Sequence, residues 1–132
     1  MKLQIKKLSD KIGKEIPLPY YATAGAAAMD LHACIDEPVT IPAGGRVRIP
    51  TGLAVAIPEG HVGILAVRSS MGVKHGVTLT NGIGVIDSDY RGELLVCLHN
   101  HSNEPQTVLI RMKISDLIII YTKQYHPQHI EN

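Results

Sequence analysis

The richest concentration of reactive side chains in this 132-residue chain is Asn81-Gly82-Ile83-Gly84-Val85-Ile86-Asp87-Ser88-Asp89-Tyr90-Arg91-Gly92-Glu93. Its composition suits a long β-hairpin whose Asp, Ser and Gly residues supply turn geometry. Two details weigh against turns alone. Asp87 directly follows the apolar pair Val85-Ile86, where a strand should still be partly buried, and a carboxylate there needs a partner or a role. The glycines also let backbone approach a ligand closely. A second cluster, Arg68-Ser69-Ser70-Met71-Gly72-Val73-Lys74-His75-Gly76, holds a guanidinium, two hydroxyls and a predicted helix start. These are the parts of a phosphate site, or equally of a helix cap followed by a solvated turn. In Ala24-Gly25-Ala26-Ala27-Ala28-Met29-Asp30-Leu31, small residues permit close packing and Asp30 stands as an isolated charge. Cys97, His99 and His101 are spaced by two and would share one face of a regular strand. Nothing in their spacing fixes a closed metal shell, so packing is the expected role.

The elements that must carry these residues read as short strands. Val47-Arg48-Ile49 leads through a predicted turn at Pro50-Thr51-Gly52 into Leu53 to Ile57. Pro58-Glu59-Gly60 then returns the chain through Val62 to Val67. Leu94 to Leu98, Thr107 to Ile110 and Ile114 to Tyr121 continue the pattern. Short β-branched strands punctuated by Gly and Pro indicate an all-β sandwich or barrel. An eight-stranded jelly roll is the expected fold, with another closed barrel as the alternative. One short helix is predicted near Ser70 to Val73, with Ser69 as N-cap. The expected organisation is one β domain over 1–122 and a short tail over 123–132.

Composition narrows the function. Leu, Ile and Val number 12, 16 and 10, too many for a disordered chain. With no Trp or Phe and five Tyr, the core must be aliphatic. Thirteen Lys and Arg against twelve Asp and Glu leave a net charge of +1, so no general basic field exists for nucleic acid or an anionic membrane. The longest aliphatic run, Leu117 to Ile120, is far short of a membrane span of roughly 18 residues. No secretory signal is evident, and Cys34 and Cys97 form no disulfide framework, so a cytoplasmic location is expected.

Together the clusters resemble the trimeric dUTP pyrophosphatase (dUTPase) family. Ala24 to Ala33 is similar to its first motif and Arg68-Ser69-Ser70-Met71-Gly72 to its second. Gly84-Val85-Ile86-Asp87-Ser88-Asp89-Tyr90-Arg91-Gly92 is similar to its third, and Lys113-Ile114-Ser115-Asp116-Leu117-Ile118 to its fourth. The resemblance implies a jelly-roll-like distorted β-barrel, a homotrimer with shared sites, and Mg²⁺-dependent hydrolysis of dUTP to dUMP and pyrophosphate. Asp87 would be the general base that activates a water for attack on the α-phosphorus. Asn81 and the backbone of Val85 and Ile86 would read uracil, and Leu95 would line that pocket. Tyr90 would lie under the deoxyribose and leave no room for a 2′-hydroxyl. Arg68, Ser69 and Ser70 would hold the phosphates, and Asp30 would reach Mg²⁺ through bound water.

Three departures from the family pattern carry expectations of their own. The Gly-rich fifth motif has no counterpart, which would slow closure of the site. Met29 stands where a bulkier neighbour of the first-motif Asp is usual. Asp116 replaces the Gln that helps position the attacking water. Strand alternation would put Asp116 on a face with Ile114, Ile118 and Ile120, opposite Lys113 and Ser115. Set about 5 Å from Asp87, it would repel that base by roughly 3 kcal/mol at an effective dielectric near 20. The rival to a dUTP diphosphatase is a dUTPase-like trimer that binds nucleotide or protein without significant catalysis. A dCTP deaminase is disfavoured, because no glutamate base follows the third motif at a suitable distance.

Overall fold

The chain alternates brief extended segments with Gly- and Pro-marked turns, and the structure, a computed structural model describing residues 1–131, realises them as ten strands and one helix. The strands are β1 (Gln4–Lys7), β2 (Met29–His32), β3 (Val39–Ile41), β4 (Arg46–Ala56) and β5 (His61–Val67). After α1 (Ser69–His75) come β6 (Val77–Leu79), β7 (Gly84–Ile86), β8 (Glu93–Asn100), β9 (Gln106–Val108) and β10 (Lys113–Tyr121). One sheet has the order β1-β4-β8-β6, a second the order β2-β10-β5-β7, and β3 and β9 form a small third. Every strand pair is antiparallel. The all-β jelly-roll-like expectation holds, with ten strands rather than eight.

The two large sheets bury their inner faces against each other. Leu31, Ile49, Ile57, Leu94, Leu98, Ile114 and Leu117 are all at most 1 % exposed. All five tyrosines are exposed, so the core is aliphatic as the composition requires. Branched aliphatic side chains have few rotamers and pack well on a pleated surface, which suits this core to strands. Among the described residues no helix is long and apolar enough to cross a membrane.

Four local expectations are corrected. Pro50-Thr51-Gly52 is not a turn between two strands; β4 runs through it with an irregularity between Pro50 and Ala54. The ladder bonds lost there are replaced by side chains. Thr51 Oγ1 donates to Leu94 O at 2.7 Å, and the Gly52 N–H donates to Glu93 Oε2 at 3.0 Å. Gly52 is required: its φ is +72°, and a Cβ would lie 2.9 Å from Cys34 Sγ. The N-cap of α1 is Arg68, without a side-chain capping bond, not Ser69. Residues 81–93 do not form one hairpin, because β7 pairs with β5 while β8 pairs with β4 and β6. The chain crosses from one sheet to the other between them.

The fourth correction concerns β10. Lys113 is opposite His32 and Ser115 is opposite Leu31, so β10 advances two residues where β2 advances one. This bulge at Ile114 changes the alternation. Ile114 and Leu117 point into the core, each 0 % exposed. Asp116 shares the outer face with Ile118 and Ile120, and Lys113 lies on that face too, beside Asp30.

Candidate active site

The third-motif segment opens at the edge of the second sheet. β7 pairs only with β5, so its other edge carries free backbone N–H and C=O groups. Between that edge and β8 lies a cavity of about 120 Å³ lined by Leu65, Leu79, Asn81, Gly84, Val85, Ile86, Leu95, Val96 and Cys97. Whole-ligand pockets run to ~300–1,000 Å³, so this one has the size of a subsite for a single ring. Asn81, Val85, Ile86 and Leu95, all expected around the base, meet here. An edge strand beside a slot can pair with a planar amide-like group much as it would with another strand.

Asp87 follows β7 directly. It is exposed, as is Val85 at 57 %, so the partial burial expected of this carboxylate is absent in a single protomer. Tyr90 is fixed close by. Its backbone N–H donates to Asp87 O at 3.1 Å and its hydroxyl to Glu93 O at 2.7 Å. Gly92 makes room for the ring, since a Cβ there would meet Tyr90 Oη at 2.8 Å. The phenol is thus a fixed, half-exposed plate beside the carboxylate.

The remaining candidates gather at the far edge of the same sheet. Arg68, at the end of β5, donates from Nη1 to Asp30 Oδ1 on β2 at 2.5 Å. Lys113 Nζ lies 3.5 Å from Asp30 Oδ2. Asp116 is directly opposite Asp30 across the β10–β2 ladder. Burial, then the hydrogen bond to Asp30 and its charge, hold the Asp116 carboxyl above the usual carboxylate range, while Arg68 pulls it down. Burial likewise pushes the neighbouring His32 below the ordinary histidine value; Asp30 opposes that shift, and Lys113 and Arg68 reinforce it. Ser69 and Ser70 are exposed beside Arg68. The Met71 and Gly72 amides already donate to Arg68 O, at 3.1 and 3.2 Å. Sequence patterns gave no separate notice of Lys113; only the bulge brings it to this cluster.

The like-charged neighbour of Asp116 is therefore Asp30, not Asp87. Asp87 is level with Val62 on β5, whereas Asp116 is opposite Ala66, with two strand spacings between β7 and β10. At ~3.3 Å per residue and ~4.8 Å per strand, the two carboxylates are roughly 16 Å apart in one protomer. The expected 5 Å repulsion does not arise within one chain. Elsewhere, a larger cavity of about 570 Å³ is lined by residues including Tyr20, Tyr21, His61 and Tyr121. Its lining contains no carboxylate, and its imidazole, His61, is engaged by Glu59 O at 3.0 Å and packs on Tyr121. The His99 and His101 rings lie against each other with centroids 4.1 Å apart and planes tilted by 44°, and His101 Nε2 is 2.8 Å from Thr78 Oγ1. Among the described residues no three His, Cys, Asp or Glu side chains converge as a metal cage.

This geometry coincides with close likeness to known proteins. A curated deoxyuridine 5'-triphosphate nucleotidohydrolase of Wolbachia pipientis is 47 % identical over 119 residues, spanning 90 % of this chain and 76 % of that protein. Its counterpart in Hahella chejuensis is 44 % identical over 119 residues, spanning 89 % and 78 %. A solved variant of the dUTPase from phage phi11 of S. aureus, described with a structural Mg(II) ion, superposes with a TM-score of 0.83 at 23 % identity. That match covers 100 % of this chain and 98 % of the phage chain. The dUTPase family model matches residues 14–132. That match over nearly the whole chain, with relatives 44–47 % identical over most of their own length, shows that the chain belongs to the dUTPase family.

Proposed function

We propose that this protein hydrolyses dUTP to dUMP and pyrophosphate, in sites shared between copies of a homotrimer. The observation that carries the reading is the slot between β7 and β8, walled by Asn81, Val85, Ile86 and Leu95, with Asp87 the next residue in the chain after β7. A pyrimidine seated there would pair with Asn81 and with the free backbone of Val85 and Ile86. Tyr90, held over Gly92, would pack against the sugar and exclude a 2′-hydroxyl. Asp87 would take a proton from the water that attacks the α-phosphorus. Arg68, with the hydroxyls of Ser69 and Ser70, would hold the phosphates. Asp116 would face the same phosphates as the residue that positions water.

The separation of the two halves supports assembly. A general base must lie within one water of the phosphorus it serves, yet Asp87 and the Asp116 cluster are roughly 16 Å apart in one protomer. A neighbouring copy would bring the slot of one chain to the cations of another. The outer face of the second sheet suits such packing: Val85 is 57 % and Ile120 48 % exposed, flanking the half-exposed Ile64 and Ile118. Apolar surface of this kind marks an interaction site.

Mg²⁺ fits the donor set as an ion carried by the substrate. Both Asp30 oxygens already face cations, which leaves the carboxylate suited to holding the ion's water rather than the ion itself. Mg²⁺ keeps several waters and takes most of its ligands from phosphates. When bound, it would neutralise triphosphate charge and stabilise the charge that develops on the leaving pyrophosphate.

The test is pyrophosphate release from dUTP with Mg²⁺, alongside calorimetric binding of dUMP. Release that disappears in Asp87→Asn is the expected result. Binding of dUMP without any release would instead establish a binding trimer. A monomer in light scattering would remove the shared site.

A further inference from the structure

The bulge at Ile114 turns that side chain into the core together with Leu117, and it also decides which charges meet. In an unbroken β10, Lys113 and Asp116, three residues apart, would point to opposite faces. The extra residue puts both on the outer face. Bulges next to active sites commonly re-aim a side chain in this way. Here it sets the Lys113 ammonium 3.5 Å from Asp30 Oδ2, while Arg68 holds Oδ1 at 2.5 Å. The second carboxylate in reach, Asp116, lies directly opposite Asp30 across the β10–β2 ladder. His32, the remaining titratable group, is buried beside them.

We propose that Lys113 is a triphosphate-binding cation of this site, paired with Arg68 across the Asp30 carboxylate and delivered to the outer face by the bulge at Ile114. The proposal rests on the reading of the site as one that takes dUTP. Both cations keep capacity for an anion. Arg68 has five N–H donors and uses Nη1 on Asp30; Lys113 has three, with one carboxylate oxygen nearby and its side chain 46 % exposed. Asp30 thus acts as a spacer that holds two positive groups apart, facing the same solvent. A triphosphate, with charge on three phosphoryl groups, matches two separated cations better than a monophosphate does. A purely structural clamp between β2 and β10 would show no such preference for ligand charge.

Binding of dUMP and of the non-hydrolysable α,β-imido analogue of dUTP to the trimer separates these roles, with wild type, Lys113→Met and Lys113→Arg compared by calorimetry. Lys113→Met should weaken the analogue about tenfold or more, the loss expected for one charge-assisted contact. It should leave dUMP within about twofold, and Lys113→Arg should restore analogue binding. In kinetics the loss should fall on kcat/KM. Equal weakening of both ligands, or no change in either, overturns the assignment of Lys113 to the phosphates. If the wild type binds neither ligand and releases no pyrophosphate, the proposed function itself fails, whatever the variants do.

Discussion

Replacing Asp116 tests the electrostatics of the cluster most directly. Asp116 and Asp30 are opposite one another on adjacent antiparallel strands, where Cβ atoms lie ~5 Å apart. Two full charges at that distance repel by about 3 kcal/mol at an effective dielectric near 20. Arg68 and partial exposure to solvent reduce this to about 1 kcal/mol. Asp116→Asn keeps the shape and a hydrogen-bond donor toward Asp30 while removing the charge. The sign of the pH dependence follows from the raised folded value. A carboxyl that holds its proton more tightly when folded contributes stability fully below its ordinary value of 3.8 and loses it as pH rises through the raised value. Asp116→Asn should therefore match wild type near pH 4 and exceed it at pH 8, by about 4 °C in Tm. Circular dichroism melts at fixed protomer concentration in Mg²⁺-free buffer would measure this. A variant no more stable at pH 8, or a gap that stays constant with pH, would refute the like-charge account. The same account predicts faster pyrophosphate release from Asp116→Gln, and an unchanged or slower rate would count against it.

Asp87→Asn should lower pyrophosphate release by about 10²–10⁴-fold while dUMP binding persists, because only the proton acceptor is lost; quench-flow and calorimetry would check the two separately. Gly92→Ala would place a Cβ 2.8 Å from Tyr90 Oη and displace the ring. It should erode the preference for dUTP over UTP, read as the ratio of the two kcat/KM values. Asn100 is 0 % exposed; its amide donates to the carbonyls of Ile41, Pro42 and Glu104, and its Oδ1 accepts from the N–H and hydroxyl of Ser102. Asn100→Leu should cost about 3 kcal/mol or more in urea unfolding, since those buried groups lose their partner. Thr51→Val should cost about 1–3 kcal/mol by leaving Leu94 O on β8 without its donor from β4.

Local residue pattern carried much of this protein. Period-two alternation and Gly-Pro punctuation specify strands because side-chain direction and turn geometry depend only on a few neighbouring residues. An aliphatic composition without Trp or Phe determined the kind of core before any contact was visible. The run from Gly84 to Gly92 suited a hairpin by composition alone, and only its resemblance to the third dUTPase motif pointed to a pocket. What local pattern could not decide was pairing between distant segments. Pro50-Thr51-Gly52 looks like a turn until Thr51 and Glu93 repair the ladder across β8. Residues 81–93 look like a hairpin until β7 and β8 join different sheets. Asp116 looks like a neighbour of Asp87 until strand order puts β5 between β10 and β7, and Lys113 joins Asp30 and Arg68 only through the extra residue at Ile114. Register and bulges are set by the summed packing of both faces of a sheet, a quantity no short window of residues contains, and so the charge cluster exists only in the folded chain.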